Sequence, residues 1–273
     1  MPEKPEVITV VKSLKPRIIG KKITDCNVYW DNIIAFPTTM EFKKNILNQK
    51  IKDISTRGKW IVLTLDKDAL LIHLRMEGKF FFRKKGEEIS KHEHVEFILD
   101  NDISFRFHDV RKFGKMYLLD KKIVNDIKPL SEIGKEYNDE LLTKDYLYEK
   151  IHNKRLPIKT VLLDQSIIAG IGNIYDDEIL FMSRISPLRK SCDVTISECD
   201  DIIKNTKIVL EKAIRLGGTT IKSFTSSEGV HGLFQNELLV HGKKNGKCPN
   251  CGNCLSNIKV NGRGTYYCKN CQK

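Results

Sequence analysis

The spacing of apolar positions changes period twice along the chain. Val7, Val10, Val11 and Leu14 recur at i, i+3, i+4 and i+7, which predicts a helix beginning near Pro5 and ending by Gly20. Proline suits a first helical position because the missing N–H has no partner there anyway. Beyond Gly20 the alternation becomes every second residue. Trp60–Leu65 and Ala69–Leu74 read as strands flanking the turn Asp66-Lys67-Asp68. Val95, Phe97 and Leu99 alternate before Asp100-Asn101-Asp102, and Ile103, Phe105 and Phe107 alternate after it. Residues 20–130 therefore read as an antiparallel β domain, a sandwich.

From residue 131 the helical period returns. Asn138–Ile151 reads as one helix and Ile158–Leu163 as another. The loop Ala169-Gly170-Ile171-Gly172-Asn173 interrupts the pattern, and Tyr175–Met182 resumes it. Ser197-Glu198-Cys199-Asp200 has capping-box spacing, which predicts a longer helix carrying Ile202, Ile203, Val209 and Ile214 and stopping at Gly217-Gly218. The polar, glycine-bearing stretch Ser223–Gly232 reads as a mobile loop. The expected architecture is α+β and multidomain: helix and sandwich over 1–130, a helical domain over 131–222, and a loop with a small cysteine module over 223–273.

Charge narrows the range of partners. Lys and Arg number 47 against 35 Asp and Glu, a net +12, which suggests a polyanion: DNA, RNA or anionic lipid. From Lys222 to Lys273, seven Lys and one Arg face two Glu, so half the surplus lies in the last part of the chain. No apolar run approaches the ~18 residues a membrane helix needs. MPEKPEV lacks the apolar core of a signal peptide, so a cytoplasmic location is expected.

The cysteines cluster as the charge does. Cys26, Cys192 and Cys199 are scattered and read as small hydrophobes or inert thiols, whereas Cys248, Cys251, Cys254, Cys268 and Cys271 crowd the end. Cys248-x2-Cys251-x16-Cys268-x2-Cys271 has the spacing of a closed four-thiolate zinc site, structural rather than catalytic. Ile258–Val260 and Thr265–Tyr267 read as the strands of a hairpin between the two pairs, with Arg263 at its tip between two glycines, placed to grip a phosphate or simply solvated. Cys254 opens a competing C-x2-C-x2-C run, whose iron–sulfur spacing is not completed. His92 and His94 alternate with Glu93 on a strand that reads as exposed, where a polar face accounts for them better than a metal pair.

Five segments in order carry a resemblance: MPEKPEV at the start, HLRMEGK at 73–79, DVRKFG at 109–114, GIGNIYDDE at 170–178 and GRGTYYCKNCQ at 262–272. Together they resemble the formamidopyrimidine-DNA glycosylase family, bacterial enzymes that remove oxidised purines, and the resemblance spans the whole chain. It implies an N-terminal β-sandwich, a helix–two-turn–helix module and a zinc finger. It also implies a monomer that acts on double-stranded DNA and carries one structural Zn2+.

The resemblance further assigns roles. Loss of the initiator Met would leave Pro2 as a secondary-amine nucleophile, with Glu3 as the acid–base group and Glu6 as a supporting carboxylate. An α-amino group titrates near ~8 against ~10.4 for lysine, so part of it is neutral and able to attack C1′ of the sugar. Lys59 matches the lysine that supports elimination. His73, Asn173 and Arg263 match the phosphate clamp, and Lys159 a lysine near the lesion. Met76, Arg111 and Phe113 match the trio that fills the gap left by a flipped nucleotide, with Arg111 pairing to the orphaned cytosine. Glu77 is placed near the base, and residues 219–234 correspond to the loop that closes on it. The implied reaction is base excision followed by β- and δ-elimination. Lys4, where the family has an apolar residue, and the additional Cys254 are departures.

Overall fold

The first apolar stripe forms helix α1 (Lys4–Ile18), with Pro5 in its first turn. Val7, Val10, Leu14 and Ile18 are buried along one face, as that spacing requires of a helix lying on a core. The computed structural model describes residues 1–219 and 232–273. These fall into two units: Met1–Ser131 with Thr219 and Gly232, and Glu132–Gly218 with Leu233–Lys273. The loop expected at Ser223–Gly232 lies, up to residue 231, outside the described residues.

In the first unit, β1 (Ile23–Val28), β2 (Ile34–Phe36), helix α2 (Thr39–Ile46), β3 (Asp53–Arg57), β4 (Trp60–Thr64), β5 (Asp68–His73), β6 (Lys79–Lys84), β7 (Glu93–Leu99), β8 (Ile103–His108) and β9 (Lys115–Asp120) follow α1. They build two sheets, ordered β1-β7-β8-β6 and β2-β9-β5-β4-β3. Ile61, Leu63, Ile72 and Met116 of one sheet share a core with Phe80, Val95, Phe97 and Phe105 of the other, so the sandwich is present. Phe105 is its centre, stacked on Phe80 at 4.6 Å and Phe82 at 5.1 Å.

Three details differ from the sequence reading. The β2–β9 pair is parallel, not antiparallel. Helix α2 interrupts the β domain; Thr38 caps it, and only Phe42 and Ile46 turn inward, too short an apolar stripe to stand out. The strand bearing Glu93 and His94 is buried rather than exposed, because its outer side carries an ion network. Arg106 pairs with Glu93 at 3.0 Å and Glu96 at 3.2 Å. A buried guanidinium requires such partners.

The second unit packs α3 (Lys144–Ile151), α4 (Ile158–Leu162), α5 (Asn173–Met182) and α6 (Ile196–Arg215) around Leu147, Ile151, Tyr175, Ile179, Ile202 and Leu210. The helix expected over Asn138–Ile151 starts only at Lys144. The Thr143 hydroxyl accepts the Tyr146 N–H, and the Asp139 side chain takes up the Leu141 N–H in a turn, so the preceding residues are not helical. Helix α6 is capped two residues earlier than expected, by the reciprocal pair Thr195 and Glu198. It stops where predicted: Gly217 and Gly218 both adopt the left-handed conformation.

The hairpin near the C-terminus comprises β10 (Ser256–Val260) and β11 (Arg263–Tyr267). Its turn is Asn261-Gly262 alone, at φ +44° and +73°, the mirror-image turn that favours Asn-Gly. Arg263 is therefore not at the tip but is the first residue of β11, opposite Val260. Among the described residues no helix is long and apolar enough to cross a membrane.

Candidate nucleic-acid interface and metal centre

In the first unit the chain start is sunk into the protein. Pro2, Glu3 and Glu6 are buried. The Glu6 carboxylate accepts the Glu3 N–H at 2.9 Å through one oxygen, and the Thr219 N–H at 2.8 Å and hydroxyl at 3.2 Å through the other. Burial pushes the terminal ammonium of Met1 below its ordinary value, against the pull of Glu3 and Glu6 and with help from Lys59; Glu77 also lies within electrostatic reach. Burial thus favours the neutral form of an amine at this end of the chain, while the nearby carboxylates favour the charged one.

Lys59 is buried in the two-residue connection Gly58-Lys59 between β3 and β4. His73 ends β5, with its ring edge-to-face against Trp60 at 4.8 Å. Burial, with Arg75 and Lys59 nearby, pushes His73 down to about 3. Its Nδ1 accepts the Arg75 N–H at 3.0 Å, which assigns the proton to Nε2. The ring is a neutral donor.

Met76, Arg111 and Phe113 lie around one cleft of about 590 Å³, together with Trp30, Asn32 and Lys112. The loops that carry them share a support. A Cβ on Gly114 would sit 2.5 Å from the Phe107 ring, and one on Gly78 2.9 Å from it, so each loop presses its backbone on Phe107. Buried Asp109 fixes the second loop by accepting the N–H groups of Arg111, Phe113 and Gly114 at 3.0, 2.8 and 2.8 Å. The Arg111 guanidinium stacks over Phe113 at 4.8 Å, and half of the Phe113 side chain is exposed.

In the second unit, Asn173 opens α5, and its amide donates to the Gly264 carbonyl at 2.9 Å, which brings Asn173 beside Arg263. Asn261 donates to Thr160 at 3.0 Å, a second tie from hairpin to helix. Lys159 is not part of this surface. It is fully buried, paired with Asp177 at 2.6 Å and Asp176 at 3.4 Å. Burial opposes its charge, but the two carboxylates hold the ammonium above the usual lysine range. This corrects the expectation that Lys159 reaches DNA: its charge is consumed inside the unit.

Asp177 also takes His241 Nδ1 at 2.7 Å and the Tyr266 N–H at 3.1 Å, while Glu178 accepts the N–H groups of Leu239, Val240 and His241. These acids lie within the segment GIGNIYDDE, and the resemblance assigns them no role. Three consecutive acids in an otherwise apolar helix, between Ile174-Tyr175 and Ile179-Leu180, are the signal that was available.

Cys248, Cys251, Cys268 and Cys271 converge, with all four sulfurs within 4.8 Å of one another. The Cys248–Cys271 and Cys251–Cys268 separations are 3.8 and 3.6 Å. A tetrahedral zinc with ~2.3 Å bonds places sulfurs ~3.8 Å apart, the spacing that these two pairs already have, so the set fits one zinc. Backbone donation from Asn253 pushes Cys251 down to about 6, whereas the neighbouring sulfurs push Cys271 up to about 12, so the thiols titrate as one group. Cys254 is exposed and outside the group, which leaves the iron–sulfur reading without a ligand set.

Three family patterns match the chain in order. Residues 1–116 match "Formamidopyrimidine-DNA glycosylase N-terminal domain", 133–225 the H2TH domain of the same enzymes, and 246–273 "Zinc finger found in FPG and IleRS". A Bacillus cereus formamidopyrimidine-DNA glycosylase is 41% identical over 273 residues, covering 100% of this chain and 99% of its own. One from Oceanobacillus iheyensis is 40% identical over 275 residues, at 100% and 98% coverage. A Lactococcus lactis FPG mutant in complex with Fapy-dG containing DNA superposes with a TM-score of 0.93 at 35% identity, covering 100% of both chains. The Lactococcus lactis Fpg with an abasic site containing DNA gives 0.92 at 35% identity, covering 99% of each. A sandwich with a buried amino terminus, a helical unit and a four-cysteine hairpin define a DNA-repair glycosylase with a zinc finger. The chain belongs to the formamidopyrimidine-DNA glycosylase family.

Proposed function

We propose that this protein is a bifunctional DNA glycosylase and AP lyase that excises oxidised purines, 8-oxoguanine and formamidopyrimidines, from duplex DNA as a monomer in the bacterial cytoplasm. The observation that carries the reading is the amino terminus: an amine whose proton burial loosens, with Glu3, Glu6, Lys59 and Glu77 around it. Removal of Met1 transfers that role to the Pro2 amine.

The neutral amine attacks C1′, the C1′–base bond breaks, and the departing base takes up a proton. Glu3 delivers a proton to the sugar ring oxygen as the ring opens to the iminium. With Lys59 it then supports the removal of protons that drives β- and δ-elimination. Both strand ends are left phosphorylated, with the iminium hydrolysed to free the enzyme.

Met76, Arg111 and Phe113 occupy the stack vacated by the flipped nucleotide, and the Arg111 donor fork reads the orphaned cytosine. His73, Asn173 and Arg263 hold backbone phosphates. His73 does so as a neutral Nε2–H donor, so its contact adds direction without adding charge. The zinc, bound by the four thiolates, supplies no chemistry to the bond-breaking steps; it stabilises the hairpin that carries Arg263.

The reading is tested with end-labelled duplexes carrying one 8-oxoguanine or one oxidised pyrimidine. Cleavage at 8-oxoguanine opposite cytosine, with phosphate at both new ends, is expected. Cleavage restricted to the oxidised pyrimidine would assign the chain to the other substrate class.

A further inference from the structure

The cleft that holds Met76, Arg111 and Phe113 has a wall that none of the assigned roles uses. Trp30 forms it, one residue ahead of the short turn Asp31–Ile33, where the Trp30 carbonyl accepts the Ile33 N–H at 3.2 Å. Ile33 is fully buried and Trp30 packs against the sandwich core, so the indole stands on a fixed base. The Lys112 ammonium lies 3.9 Å from the centre of that indole.

Lys112 sits between Arg111 and Phe113 with φ +57°, a left-handed conformation that is unfavourable for a residue with a Cβ. Three sets of contacts hold it there. The Asp109 carboxylate takes the backbone N–H groups on either side, the Asp109 carbonyl accepts the Lys112 N–H at 3.2 Å, and the Trp30 ring takes the side chain. The backbone contacts fix the turn from beneath, whereas the ring fixes it from the cleft. With both in place the backbone that carries Arg111 is held, and its guanidinium lies over Phe113.

We propose that Trp30 and Lys112 form a clamp that sets the preference for the base opposite the lesion, with both acting as positioning residues. The proposal rests on the reading that Arg111 addresses that base. A fork that can pair bidentately with cytosine loses most when its direction is loosened, whereas a mismatched adenine has less to lose. A cation over an aromatic face at a partly exposed site corresponds to about a two- to five-fold effect.

The test measures binding of duplexes with a tetrahydrofuran abasic analogue opposite cytosine or adenine, by fluorescence anisotropy at one fixed salt concentration. Lys112 contributes charge to any DNA, so the cytosine-to-adenine affinity ratio is the readout, not either affinity alone. Lys112→Met and Trp30→Leu are each expected to lower the ratio by about two- to five-fold. The double variant should fall no further than the singles, and Lys112→Arg should keep the wild-type ratio. Unchanged ratios in both single variants, or single effects that multiply in the double, would overturn the clamp while leaving the reading of Arg111 intact. A wild-type protein with no preference between the two duplexes would overturn the reading of Arg111, and the clamp with it.

Discussion

Removing the metal from Cys248, Cys251, Cys268 and Cys271 is expected to unfold the C-terminal hairpin and lower affinity for lesion-containing duplex by roughly 100-fold or more. The apolar cluster around the sulfurs is Phe181 of α5 with Val240, Cys248, Leu255 and Cys268, two of which are ligands, so little apolar burial remains once the sulfurs part. Structural zinc contributes on the order of 10–16 kcal/mol to comparable small fingers, far beyond what such a core supplies. On the proposed reading of Arg263 and Asn173 as phosphate contacts, the loss reaches DNA through these two residues. Arg263 opens β11, and Asn173 is held by the Gly264 carbonyl, so both lose their placement together. Two phosphate contacts at about 1.5–3 kcal/mol each account for the expected loss of affinity. Zinc release followed with a colorimetric chelator, alongside anisotropy at constant salt, checks the link. Cys254→Ser should retain both zinc and binding, because Cys254 lies outside the ligand group. Full affinity after stoichiometric zinc release would contradict it.

Arg106→Met is expected to destabilise the first unit by about 3–5 kcal/mol, the range for stranding a buried charge. The Arg106 side chain is 1% exposed and joins Glu93, Glu96, the Ser104 hydroxyl and the carbonyls of Glu87 and Glu88. Without it Glu93 and Glu96 lose their buried counter-charge. The sign of the pH dependence follows from Glu96. Burial raises its value, but bonds from Ser104, Tyr29 and Asn27 and the Arg106 charge outweigh burial and leave it lowered. A lowered carboxylate contributes its full stability above its unfolded value, near ~4.3, and loses it as pH falls through the folded value. The gap between wild type and Arg106→Met should therefore be widest near neutrality and narrow below about pH 4. Denaturant melts at a series of pH values measure this. Replacing Glu93 and Glu96 by Leu in the Arg106→Met background should recover much of the loss. A variant as stable as wild type at neutral pH would show that the network is not what holds these strands.

What was legible in the sequence depended on whether the signal was local. The α1 stripe, the strands β4, β5, β7 and β8, the glycine stop of α6 and the thiolate pairs each lie within one segment, and the structure has all of them. Features settled by distant partners were misread. The outer face of β7 appeared polar and therefore exposed, yet Arg106 on β8 buries it. The resemblance sets Lys159 near the lesion, whereas α5 pairs it with Asp176 and Asp177 in the interior. Arg263 was placed one residue too near the hairpin tip because Asn261-Gly262 suffices for the turn. At the candidate site, the motifs named Met76, Arg111 and Phe113, but nothing local to them indicated Trp30, which is 46 residues away from Met76 in the chain and meets them only across the cleft. Glu6 was visible as a carboxylate one turn into α1, but its hold on Thr219 is a long-range contact that no periodicity contains.

The most direct measurement is borohydride trapping of Met-processed protein on a duplex with one 8-oxoguanine opposite cytosine, comparing wild type with Pro2→Gly on a denaturing gel. If the chain start is the nucleophile, wild type gives a covalent protein–DNA band, and Pro2→Gly loses most of it because the secondary amine is gone. A band of equal strength in both proteins would show that the secondary amine is not required, and a trapped adduct that maps to any residue other than the chain start would move the nucleophile elsewhere. No band in either, despite tight binding of the lesion duplex, would contradict an iminium mechanism altogether.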